Sequence, residues 1–251
     1  APGRPLRARV LPALRDGGRT PGGGRCGIRG VAVTFPPISF NMPPPTAPRA
    51  QARVALRVHD DHTARHKEPA PACRVGCAAC CHQTTLVTAQ EVLLIAAHLR
   101  QARPRHKRAA LQATLAAAGQ RALSLPVREN YGHPCVFLDE DKRCSIYDVR
   151  PLACRGLAAM DAAACHATPG TLALYRSDHL ELAGALRERL EASQSPRAHA
   201  GRLELQSGVA IALSLPDAEA RYARGEAVFA GAQATWPFED LTPPPPAAAI
   251  P

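Results

Sequence analysis

Apolar residues recur at helical spacing in several separate stretches of the chain. Thr88-Ala89-Gln90-Glu91 has the form of a capping box and leads into Val92, Leu93, Ile95, Ala96 and Leu99. The pattern predicts a helix to about Gln101, ending before Pro104. An alanine-rich helix is expected over residues 105–118, stopping at Gly119. Leu172, Leu174, Leu180, Leu182, Leu186 and Leu190 predict a third helix over 171–192, ending at the Ser193–Pro196 break. A fourth is expected over 202–214 and a short fifth over 217–231. Strand signals are weak. Cys135-Val136-Phe137-Leu138 reads as half of a small hairpin turning at Asp139–Lys142. The expected fold is therefore mainly α, a small helical domain with cysteine-rich loops around a metal centre and one short β-hairpin. No run of 18 apolar residues occurs, which argues against a membrane-spanning helix.

The periodic signal is confined to the middle and later part of the chain. Residues 1–70 are rich in Pro, Gly and Arg without a sustained apolar period, and are expected to form a disordered basic arm. Residues 71–192 then make the cysteine-bearing domain, 193–236 a helical extension, and 237–251 a disordered Pro/Ala-rich tail. Met42 is the first methionine, so a natural start there is one expectation. No unbroken apolar segment near the start suggests an export signal, and a cytoplasmic location is expected.

Charge sharpens this division. The formal net charge is +10, but the first 72 residues hold 12 Lys+Arg against 4 Asp+Glu, and the remaining 179 hold 19 against 17. A basic arm can bind nucleic acid. Here only 3 of the basic residues are lysines, and the Ala, Gly, Pro and Arg bias suggests GC-rich coding, so nucleic-acid binding is not favoured. The hydrophobic fraction is 46%, yet much of it is alanine, and only ten residues are aromatic. Such a chain builds a thin core and needs close helix packing or another kind of cross-link.

The cysteines suggest which. Cys73, Cys77, Cys80 and Cys81 form C-x3-C-x2-C-C, and Cys135, Cys144, Cys154 and Cys165 follow at intervals of 9, 10 and 11. Cys26 stands apart in the arm. A disulfide framework suits small secreted proteins, and vicinal Cys80 and Cys81 cannot pair without strain. Unrelated buried thiols would not be expected to cluster in this way. Thiols two or three residues apart can converge on a metal, and soft sulfur favours zinc or iron–sulfur centres. Arg74, Arg143, Arg150 and Arg155 lie near the cysteines and could offset thiolate charge, with Arg150 and Arg155 the candidates to face the cofactor. A structural ion pair with Asp148 is the plainer role for Arg150. His82, His133 and His166 adjoin the cysteines as hydrogen-bonding neighbours more readily than as ligands. Tyr147 is expected to pack in the core.

The two blocks CRVGCAACCHQTTLVTAQE and CVFLDEDKRCSIYDVRPLACRG resemble the CxxCxxCC family of zinc- or iron-chelating domains. The resemblance spans residues 73–166 and is strongest from Cys144 to Arg155. It implies metal binding, as iron–sulfur or zinc, without a defined reaction, through Cys73, Cys77, Cys80, Cys81, Cys135, Cys144, Cys154 and Cys165. Related clusters in flagellin lysine N-methylases leave open an enzyme with an open metal site, redox or protein methyl-transferring. No Gly-rich S-adenosylmethionine loop, P-loop, H-E-x-x-H or G-x-S-x-G supports a particular enzyme. A partner-binding adaptor using the basic arm is a further alternative, and the protein partner or substrate is left open. Structural zinc contributes about 10–16 kcal/mol of apparent binding energy in small peptides. That matches the roughly 5–15 kcal/mol stability of whole domains, so metal could decide whether the cysteine loops fold.

Overall fold

The computed structural model describes residues 47–125, 133–167, 175–194, 198 and 201–234. The expected mainly α fold is what it shows. Residues 48–65, placed in the disordered arm by their composition, instead form helix α1 (Pro48–Arg65). Proline at its first position suits a helix start. Pro48, Ala52, Ala55, Leu56 and His59 form its buried face at helical spacing. Leu56 is the one large aliphatic residue in that stripe, which explains the weak sequence signal. The rest of the arm expectation, residues 1–46, and the tail from 235 onward lie outside the described residues.

Helix α2 (Ala89–Ala102) begins with the capping box: Thr88 Oγ1 accepts from Glu91 N at 3.4 Å, and Glu91 Oε2 accepts from Thr88 N at 2.8 Å. Helix α3 (Arg105–Ser124) runs through the expected stop at Gly119. Glycine serves close packing there: a Cβ on residue 119 would collide with Ser207. Two short helices, α4 (Leu152–Arg155) and α5 (Ala162–Ala167), carry Cys154 and Cys165. The third expected helix appears as α6 (Ser177–Ala192). Residues 171–174 lie outside the described residues, and Tyr175 pairs with Ala159 as an isolated bridge.

Strand β1 (Leu86–Val87) pairs antiparallel with β2 (Leu203–Glu204), so the expected helix over 202–214 loses its first turn to a strand. Glu204 then caps α7 (Leu205–Ser214), its carboxylate accepting from Gln206 N and Ser207 N at 3.1 and 2.7 Å. The fifth expected helix shortens to α8 (Ala218–Ala223), because Gly225 turns the chain at φ +86°. A 3-10 turn follows at Ala230–Ala232.

Helix α7 lies on α3 and α2, while α1 lies on α2 and α6. The main core joins Val92, Leu93, Ile95 and Leu99 of α2 with Leu115, Phe137, Ile146, Leu203, Val209 and Phe229. Residues 203–232 thus share a core with the cysteine-bearing half. Small residues let the helices approach: Gly208 meets Val92, where a Cβ would come within 2.8 Å of Cγ2. Close backbone approach compensates for the shortage of bulky side chains.

Candidate metal centre

The first cysteine loop is bent by Gly76, whose φ of +86° a residue with a Cβ would resist. This turn lets Cys77 N donate to Arg74 O at 2.9 Å. A 3-10 turn (Ala79–His82) then presents Cys80 and Cys81, with Ala78 and Ala79 buried beneath it. His82 holds its Nδ1 3.1 Å from Ala78 O, bracing the turn from within.

The second block is tied directly to the first, as Cys135 N donates to Cys81 O at 2.7 Å. The expected hairpin is present in reduced form. Leu138 and Cys144 make an isolated antiparallel bridge, and the turn between them places Lys142 at φ 58°. Asp139 closes it, its Oδ1 accepting from Arg143 N at 2.7 Å. Arg150 precedes Pro151 in extended backbone, after which α4 raises Cys154.

One buried carboxylate governs where α4 sits. Glu91 is 1% exposed, and its second oxygen accepts from Leu152 N at 2.7 Å. The α2 capping box therefore extends into a link between α2 and the start of α4. The sequence shows the box; nothing local signals its second use. Thr85 and Gln206 escaped sequence reasoning as well. The Thr85 hydroxyl hydrogen-bonds the Cys154 sulfur, and Gln206 Oε1 accepts from Val136 N at 3.1 Å. Thr85 meets Cys154 where α4 packs beside β1, and Gln206 reaches Val136 from the first turn of α7.

All eight cysteines from Cys73 to Cys165 are free thiols, and their side chains form one electrostatically connected group. Cys80 is its hub. It hydrogen-bonds Cys81 and acts on Cys73, Cys144, Cys154 and Cys165. Cys77 acts on Cys73 and Cys165, while Cys135 responds to Cys154 and Cys144. Cys73 Sγ also accepts from Ala159 N at 3.2 Å, and Cys165 Sγ lies 3.6 Å from Tyr175 Oη. Among the described residues, no three Cys, His, Asp or Glu side chains stand at the separation a single bound ion imposes.

Burial sets the thiol chemistry. It pushes Cys135 and Cys154 up to about 12, and raises Cys73, Cys144 and Cys165. Cys80 is raised first by its hydrogen bond to Cys81 and then by burial. Without metal these groups are thiols at neutral pH, so loading must displace protons. Arg150 opposes that rise: its charge lowers Cys73, Cys80, Cys144 and Cys154.

The two candidate arginines differ in placement. The Arg150 guanidinium lies 4.5 Å from the centroid of the Tyr147 ring, with a buried Nε that has no hydrogen-bond partner. Tyr147 is therefore an exposed platform for Arg150, at 58% exposure, and not a core residue. Arg155 turns the other way, pairing with Asp60 of α1 and donating to Arg150 O and Asp148 O, each at 2.9 Å. It braces the 148–150 loop. Arg143 pairs with Asp139 and Asp141 on the hairpin, away from burial. His133 lines a small polar cleft with Arg121, Cys135 and Gln206. The side chain of His166 lies outside the described residues.

These features bring the two cysteine blocks side by side on a helical support, joined by the Cys135–Cys81 backbone hydrogen bond. Residues 72–173 match the model of the CxxCxxCC family, described as "Putative zinc- or iron-chelating domain". The match supports a metal-binding role and places both cysteine blocks inside one family domain. No curated protein and no solved structure matches the chain.

Proposed function

We propose that the chain carries an iron–sulfur centre on Cys73, Cys77, Cys80, Cys81, Cys135, Cys144, Cys154 and Cys165. The observation that carries this reading is the direct tie between the two cysteine blocks, Cys135 N donating to Cys81 O at 2.7 Å, with all eight thiols free. The donor set fits such a group, since eight soft sulfurs without disulfides suit zinc or iron–sulfur chemistry. A zinc ion holds its sulfurs about 2.3 Å from the metal and draws four of them tightly together. A sulfide-bridged cluster binds thiolates over a wider span, which suits ligands spread over two loops and two short helices. When bound, the cluster would supply a one-electron store and cross-link those segments.

In this reading Arg150 balances thiolate charge, and Glu91 and Arg155 hold the segments that present Cys154. Iron and acid-labile sulfide analysis of oxygen-free protein, together with a visible spectrum, tests it. The expected result is brown protein with iron and sulfide in comparable amounts. A colourless protein loaded with zinc alone would replace the iron–sulfur assignment with zinc on the same thiols.

A further inference from the structure

Helices α1 and α6 lie before and after residues 72–173 of the family match, and they pack on each other around a group of imidazoles. His59 and His179 are 2% and 5% exposed, with ring centroids 5.8 Å apart and planes at 73°. His62 lies 6.4 Å from His179, and His66 stacks on His62 at 4.4 Å. Neutral rings pack in this way without counterions, whereas buried cations need partners.

The surroundings supply none to spare. Arg155 and Arg150 act on His59, and Arg176 acts on His62 and His179. Asp178 is taken by Arg176, which donates to its two oxygens at 3.0 and 2.6 Å, and it also stands 3.5 Å from His62 Nε2. Asp60 is taken by Arg155. From the other helices packed on α1, Glu91 of α2 serves Thr88 and Leu152, and Glu219 of α8 pairs with Arg49 at the far end of α1. Arg53, Arg57, Asp61 and Arg65 are exposed on the outer side of α1. The apolar seat of α1 is shallow as well, with Leu56 its only large aliphatic residue beside Ala52 and Ala55. An element held so lightly opens before the core does.

We infer that α1 is an acid-released clamp: protonation of the His59–His62–His179 group displaces the helix from α6 and loosens the loop beside Cys154. The link to the cysteines is the Asp60–Arg155 pair, because Arg155 also donates to Arg150 O and Asp148 O and so braces the 148–150 loop. Burial first, then His179 and Arg155, hold His59 at about 4 in the closed state, against 6.5 for a free ring, and burial lowers His62 and His179 too. The clamp is therefore closed above about pH 6.5 and opens as pH falls towards 4. For His59 alone, the open fraction rises about fiftyfold from pH 7 to pH 4.5. The inference does not depend on which metal the cysteines hold.

Hydrogen exchange of the full-length chain, read by segment and corrected for the intrinsic pH dependence of amide exchange, provides the test. From pH 7 to pH 4.5, α1 should lose protection about fiftyfold while α2 and α7 keep theirs. His59→Leu should remove most of that loss, and His179→Gln takes its place if His59→Leu does not fold. At pH 4.5 a chelator should extract metal faster from the wild type than from the folded variant, a comparison in which thiol protonation is common to both. Protection of α1 that persists to pH 4.5, or that is lost together with α2 and α7, would overturn the inference. The same loss in wild type and variant would overturn it too, and equal extraction rates would overturn the coupling to the cysteine loop.

Discussion

At the scale of single residues, burial and charge decide what the polar groups do. His59 is held at about 4, mainly because its ring is buried and then because His179 and Arg155 disfavour its protonation. Its ordinary value is 6.5. The unfolded chain therefore takes up this proton first as pH falls, and stability drops between about pH 6.5 and 4. By linkage the loss is about 3 kcal/mol. Above pH 6.5 the contribution is flat, and His59→Leu should abolish this part of the slope in urea unfolding of metal-stripped protein. Arg150 illustrates the opposite role. Arg150→Gln removes a cation that favours four thiolates, so bound metal should become easier to extract by chelator at neutral pH, and loading should shift to higher pH. Extraction kinetics with unchanged circular dichroism would check this.

At the scale of elements, the fold depends on contacts that no local pattern announces. The capping box at Thr88–Glu91 is visible in the sequence, but the hydrogen bond from Leu152 N to Glu91 couples residues 61 apart in the chain. Glu91→Ala would leave Leu152 N and Thr88 N buried and unpaired, at roughly 1–3 kcal/mol for each lost partner. Chemical denaturation should show that loss, and Cys154 should become more reactive toward alkylating agents as α4 loosens. Gly119 carries a similar lesson. Its residue type suggested a helix end, whereas it serves the meeting of α3 with Ser207 of α7. Gly119→Ala should destabilise the protein by about 1–3 kcal/mol through overpacking, despite the better helix propensity of alanine. Melting curves of the two proteins would show a lower midpoint for the variant.

At the scale of the whole molecule, the sequence showed the chemistry more clearly than the architecture. Helix α2 and the later part of α6 follow their apolar spacing, α3 its alanine-rich composition, and the cysteine blocks stand out by composition. Helix α1 was hidden because its buried face holds a single large aliphatic residue, Leu56, and β2 because two residues carry no period. The proximity of the two cysteine blocks is a tertiary fact, made by the Cys135–Cys81 backbone bond and the seat of α4 on α6. The thin core and the gathered thiols then belong to one account, in which helices held together by small residues are completed by a metal cross-link between loops.

Metal content of the full-length protein purified without oxygen tests that account most directly, measured beside Cys80→Ser and Cys154→Ser. The account predicts iron in the wild type, and a marked loss of metal when either block is altered. Wild-type protein that carries neither iron nor zinc under these conditions would contradict it.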